Sequence, residues 1–149
     1  MKKFEFSLAK LKQYKERMLE AEKNNLGILR RDLALLQNQL TDILDEIDLK
    51  NSELAIKLQE GTTPIEVQTG KRFVMVRKSD AQMKRIEIMA KEEEIEQQLQ
   101  VVIGLQQEVA SLEKLEEAQL EEYRALELKE TELFIDEFIT NADFRKQNL

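Results

Sequence analysis

The amino-acid sequence predicts an all-α protein, a long antiparallel two-helix coiled-coil hairpin, on three observations. Leu26, Leu29, Leu33, Leu36, Leu40, Ile43 and Ile47 are separated alternately by three and four residues. Ile88, Ile95, Val102 and Val109 recur every seven. Between the two ladders lies a short run of turn formers, Gly61-Thr62-Thr63-Pro64. Alternating steps of three and four put side chains on one stripe of a helix, the seam of a coiled coil.

The first helix is expected over about residues 4–60, since no breaker interrupts that stretch. Leu54 continues its seven-residue step and Leu58 follows four later. Upstream, Leu8, Leu11, Met18 and the alkyl stem of Lys15 keep the spacing more weakly. Gly61 suits a helix C-cap, where φ is often positive. Thr63, Pro64 and Glu66 read as a capping box with Pro at the first helical position. Gly70 weakens the helix that starts there, and 71–78 is an apolar run flanked by basic residues. The tip, a turn with a weak helix, is therefore expected over 61–81, with the second helix over 82–142 and a frayed end over 143–149. Leu99 extends the second ladder, Gln106 stands as a polar seam residue, and Leu112, Tyr123, Leu126 and Leu133 carry it on.

Paired residues of an antiparallel hairpin have numbers with a constant sum. Leu33 with Val109, Leu40 with Val102, Ile43 with Leu99, Ile47 with Ile95 and Leu54 with Ile88 all sum to 142. Neighbouring heptad registers match parts of the seam as well. The sum of 142 is preferred because it sets Phe4 opposite Phe138 and Leu8 opposite Phe134. Phe4, Phe6, Phe134 and Phe138 would then form a local plug, with Tyr14 and Tyr123 at the seam edge.

Composition agrees with long helices: 36% charged, 42% apolar, four Gly and one Pro. Charge is arranged in blocks. Residues 1–31 carry nine positive and four negative charges, and residues 92–137 carry three and fifteen. Residues 32–60 are acidic and residues 61–91 basic. A hairpin sets opposite blocks side by side, whereas a parallel homodimer would set like beside like. The chain is accordingly expected to be a monomer when free.

Several function classes are excluded or disfavoured. Without Cys there is no thiolate chemistry, and without His the commonest general base and metal ligand are missing. The acidic run Glu92-Glu93-Glu94-Ile95-Glu96 reads as a solvated helix face. No phosphate-cradling glycine loop occurs, and a two-helix hairpin offers no pocket that excludes water. No catalytic, cofactor-binding or metal-binding residue is assigned, and an enzyme is not expected. An acidic pI near 4.9 argues against nucleic acid. No apolar run is long enough to span a membrane and no signal peptide is evident, so a cytoplasmic location is expected. Phe73, Val74 and Met75, within the basic run, read either as an exposed partner patch or as the tip packed on its own stem.

The opening stretch, KKFEFSLAKLKQYKERMLEAEKNNL, resembles the N-terminus of the flagellar export protein FliJ family, with Phe4, Phe6, Leu8, Leu11 and Glu22 carrying the likeness. The late stretch, LEKLEEAQLEEYRALELKETELFIDEF, resembles that family through Glu113, Lys114, Leu115, Tyr123, Glu130, Asp136 and Glu137. The resemblance implies an antiparallel coiled coil similar to the γ stalk of rotary ATPases. It also implies a type III export component that associates with the export ATPase FliI, the export gate protein FlhA and export chaperones. Such a component serves flagellum assembly, and through it motility and chemotaxis, at the inner face of the cell membrane. By analogy with γ, the end with both termini would enter the ATPase ring and the tip would face the gate. Charge and exposure, rather than any family motif, select Lys10, Arg17, Arg30 and Arg31 for the ring and Phe73, Val74 and Met75 for the gate. Competing readings are the equivalent stalk of a virulence-type secretion system, a structural coiled coil and a prefoldin-like chaperone.

Overall fold

A computed structural model describes residues 2–147. Among them are two helices and no strand: α1 (Ala9–Glu60) and α2 (Pro64–Gln147), packed against each other as an all-α helical hairpin. The missing strand removes the β-hairpin that a prefoldin-like reading needs. The chain divides into two compact units, residues 21–102 and residues 1–20 with 103–149.

The turn follows the sequence chemistry. Gly61 closes α1 with φ at 100°, and its N–H donates to the Lys57 carbonyl at 2.9 Å. A residue with a Cβ would be strained in that left-handed conformation. Pro64 opens α2, and the Thr63 hydroxyl accepts from the Glu66 N–H at 3.3 Å. The Glu66 carboxylate takes the Thr62 hydroxyl instead of closing the box on Thr63.

In the unit of 21–102, α1 turns Leu26, Leu29, Leu33, Leu36, Leu40, Ile43, Ile47, Lys50 and Leu54 inward. The inward positions of α2 are Val67, Gly70, Val74, Arg77, Ala81, Lys84, Ile88, Lys91, Ile95, Gln98 and Val102. Both sets keep the three-four alternation without a break. Ile43, Ile47, Val74 and Ala81 form a buried cluster, with Leu40 and Leu44 against it. Leucines of α1 thus meet small or branched residues of α2 in one layer and the alkyl stems of Arg77, Lys84 and Lys91 in the next. Such stems cover apolar surface while their charged ends stay wet.

The register differs from the one expected. Leu54 lies against Gly70, Glu46 pairs with Arg77, Lys50 sits over Phe73, and Glu22 binds Gln98. These sums fall between 120 and 124, not at 142. The connection shrinks from a 61–81 tip to the few residues between Glu60 and Pro64, and α2 starts well before residue 82. Gly70 does not weaken the helix but admits Leu54: a Cβ there would lie 2.5 Å from Leu54 Cδ2. The polar seam residue is Gln98, whose amide donates to the Glu22 carbonyl at 3.0 Å and to its carboxylate, whereas Gln106 is exposed.

In the unit of 1–20 and 103–149, Leu8, Lys12, Lys15 and Leu19 turn inward toward Leu105, Val109, Leu112, Glu116, Gln119 and Tyr123. Leu11 and Tyr14 are exposed, so neither holds the seam place expected of it. Residues 143–147 belong to α2, while 148 and 149 lie outside the described residues. No helix is long and apolar enough to cross a membrane among the described residues.

Because the chain has no native cysteine, cross-linking reads the register directly. The variant carrying Ile43→Cys and Ala81→Cys is expected to form an intrachain disulfide on mild oxidation. The variant carrying Ile43→Cys and Leu99→Cys is expected to stay reduced, since a disulfide needs Cα atoms within about 7 Å. Gel mobility under non-reducing conditions separates the two outcomes.

Candidate partner-binding surfaces

Opposite charge blocks do meet. In the unit of 1–20 and 103–149, the Lys12 ammonium donates to the Glu116 carboxylate at 2.7 Å, and Lys15 pairs with Glu108 at 2.8 Å. The hydrogen bond to Glu116 raises the Lys12 pKa above its usual value, with the nearby carboxylates adding to it. The pair therefore supports the fold up to the ordinary lysine range, and its contribution is lost as pH rises through the raised value. In the unit of 21–102, Arg77 bridges Glu46 at 2.7 Å and Asp80 at 2.9 Å, and hydrogen bonds to both hold its pKa up. These exposed pairs set charge complementarity more than stability.

Phe4 packs against Tyr123 with ring centroids 5.5 Å apart and planes tilted by 53°, and the Tyr123 hydroxyl donates to the Lys2 carbonyl. Phe6 is buried. Phe134 and Phe138 are 69% and 68% exposed, so no four-phenylalanine plug forms. The shorter sum is the reason: Phe4 reaches only as far along α2 as Tyr123.

The residues singled out for partners fare differently. Lys10 and Arg17 are exposed on α1 in the unit of 1–20 and 103–149, seven residues apart and hence on one face. Arg30 and Arg31 are exposed in the other unit. Phe73 is 41% exposed, with the Lys50 ammonium 5.8 Å from its ring centroid, and Met75 is 70% exposed. Val74 is 8% exposed and belongs to the core with Ile43, Ile47 and Ala81. Within the 73–75 run, Val74 packs on the stem while Phe73 and Met75 face outward.

Sequence reasoning missed a surface beside that run. Met75, Val76, Met83, Ile86 and Met89 are all exposed on the side of α2 away from the seam. Lys71, Arg72, Lys78 and Arg85 lie among them in sequence. Methionine-rich exposed faces adapt to partner shapes because the side chain is unbranched and polarizable. The signal was available once Val67, Val74, Ala81 and Ile88 are taken as the inward seven-residue ladder, since the remaining apolar residues must then face out. A shallow groove beside the seam is lined by Leu35, Leu36, Gln39, Lys84 and Lys91. Among the described residues no cluster of three or more carboxylates could hold a metal ion.

Val74→Ala is expected to destabilise the chain by about 1–2 kcal/mol through lost burial and a small cavity. Met75→Ala is expected to leave stability within about 0.5 kcal/mol. Urea titrations followed by circular dichroism distinguish a core residue from a surface one.

Comparison with known families is consistent with this geometry. The family model described as "Flagellar FliJ protein" matches residues 4–148. No curated protein and no solved structure matches the chain. The match covers nearly the whole sequence, so the chain belongs to the flagellar FliJ family, a family of non-catalytic flagellar export components.

Proposed function

We propose that this flagellar FliJ family member is a stalk-like, non-enzymatic cofactor of the export ATPase FliI. In this reading it couples the ATPase to the export gate protein FlhA and handles export chaperones, at the inner face of the cell membrane. The observation that carries the proposal is the family match over 4–148 on a helical hairpin. The hairpin also presents two chemically different surfaces. Exposed cations on α1, Lys10, Arg17, Arg30 and Arg31, suit the acidic or polar rim of an ATPase. The Phe73 and Met75 face of α2, extended by Val76, Met83, Ile86 and Met89, suits an apolar partner patch with acidic edges.

The mechanism follows from symmetry and binding linkage. A pair of helices has neither three-fold nor six-fold symmetry, so it contacts some subunits of a ring better than others. Unequal contacts stabilise one set of subunit conformations over another and bias assembly and hydrolysis. The same linkage acts in reverse: whatever holds the α2 face at the gate changes the free energy of the ATPase contact. No catalytic group is required of this chain.

Replacing Lys10, Arg17, Arg30 and Arg31 together by Ala is expected to lower stimulation of FliI hydrolysis on the order of tenfold, since rim charges each contribute modestly. Helicity and melting should be unchanged. Full stimulation by the quadruple variant would sink the ATPase assignment.

A second variant isolates the gate. Phe73→Ala with Met75→Glu is expected to weaken FlhA binding about tenfold in a titration with its soluble domain, while FliI stimulation persists. Unchanged FlhA affinity would remove that face from the reading.

A further inference from the structure

The stretch of α2 beyond Tyr123 carries an apolar ladder that the hairpin does not use. Leu128, Thr131, Ile135, Phe138 and Ala142 follow the three-four alternation, with Phe134 and Ile139 beside them. Leu128, Phe134, Ile135, Phe138 and Ile139 are all exposed. This is a second seam, not a continuation of the first. The hairpin seam, prolonged from Gln119 and Tyr123, passes through Leu126 and Leu133. Leu128 and Ile135 lie two residues further on, about 200° around the helix at ~100° per residue. Extending α1 along its present line would therefore cover Leu126 and Leu133 and leave the second ladder bare.

We propose that residues 126–144 of α2 are a docking element for one amphipathic helix of another protein, whose apolar ladder is flanked by Lys and Arg. Shape and charge select that occupant. A three-four ladder on a helix is matched by another helix. Six carboxylates and one lysine lie within 126–144. Glu127 borders the ladder on one side, and Glu132, Asp136 and Asp143 border it on the other with Lys129, so the borders carry four carboxylates and one ammonium. A second copy of the chain would bring those carboxylates against their own kind, and an anionic membrane would be repelled in the same way. The chain already shows the favoured solution, since in this unit basic α1 meets acidic α2 through Lys12 with Glu116 and Lys15 with Glu108. This surface shares no residue with the cations of α1 or the Phe73 and Met75 face assigned to partners above, and its test involves neither.

The test uses the full chain and three fluorescein-labelled 28-residue helical peptides. All three share one Leu/Ile heptad ladder and differ only in their flanking positions, which are Lys, Gln or Glu. By fluorescence anisotropy the Lys peptide is expected to bind at least ~10-fold more tightly than the Gln peptide, with the difference shrinking as salt is raised. The Glu peptide is expected not to bind. Ile135→Glu with Phe138→Glu should abolish binding of the Lys peptide, and Leu133→Glu, on the other side of the same helix, should not. Ile135→Ala with Phe138→Ala, which keeps helix propensity high, should weaken binding about tenfold at unchanged helicity. Lys-peptide binding that survives both ladder variants would overturn the proposal, as would equal binding of the three peptides. So would a dimer in sedimentation equilibrium that Ile135→Ala with Phe138→Ala dissolves, or binding to vesicles of phosphatidylglycerol that the same variant removes.

Discussion

The structure depends on one packing arrangement, the fit of the α1 leucines onto an α2 face that alternates small or branched residues with long basic stems. Leu54 needs the missing Cβ of Gly70, and Ile43 and Ile47 close over Ala81 and Val74. Between those layers the stems of Arg77, Lys84 and Lys91 lie along the seam, with their charges met by Glu46 and Asp80, Glu87 and Glu94. A uniformly leucine-rich α2 would accept several registers a heptad apart. One that mixes glycine, alanine and lysine accepts fewer, because each misplaced layer either leaves a void or buries a charge. The amide of Gln98, held by Glu22, adds a polar constraint of the kind that fixes pairing at some cost in stability.

The choice between the observed register and a sum of 142 is a balance of what each leaves uncovered. The longer sum would have buried Phe134 and Phe138 but left residues 64–81 outside the pairing. The observed one buries Val74 and Ala81, aligns Arg77 with Glu46, and closes the chain through a short connection. Loop-closure entropy alone separates short and long connections by only about 1–2 kcal/mol. The added seam layers therefore carry more of the preference than the shorter turn. Each well-buried branched side chain contributes about 1.5–3 kcal/mol relative to exposure.

Much of this was legible in the sequence. The α1 ladder from Leu26 to Ile47, the Gly61 cap, the Pro64 start and the meeting of opposite charge blocks all appear as the spacing and residue types imply. The register was not, for a physical reason. Half of the α2 seam positions that precede Val102 hold Gly, Arg, Lys or Gln, types that an apolar-periodicity reading passes over. Those residues pack through alkyl stems, or through the absence of a side chain, and neither leaves a hydrophobic signature. The visible half, Val67, Val74, Ala81, Ile88 and Ile95, keeps the seven-residue step, but its first three members lie in the 61–81 stretch that the turn formers and Gly70 mark as a tip. Of the residues singled out for partners, the cations and Met75 lie where exposure requires, and Val74 does not. Three consecutive apolar residues on a helix cannot share a face, so one member of the 73–75 run had to turn inward.

The same register explains why α2 has apolar surface to spare. Among the described residues, Phe4 and Lys2 meet α2 at Tyr123, and the helix continues to Gln147 with large side chains outward. Exposed phenylalanines in an ordered helix tend to be selected against unless something covers them, because they invite aggregation. The ladder from Leu128 to Ala142 lies on a different side of the helix from the seam residues Leu126 and Leu133. A sequence that merely overran its partner would keep the hairpin phase and decay into polar residues. A change of phase with restored spacing and acidic borders is the pattern of a surface that meets a different helix.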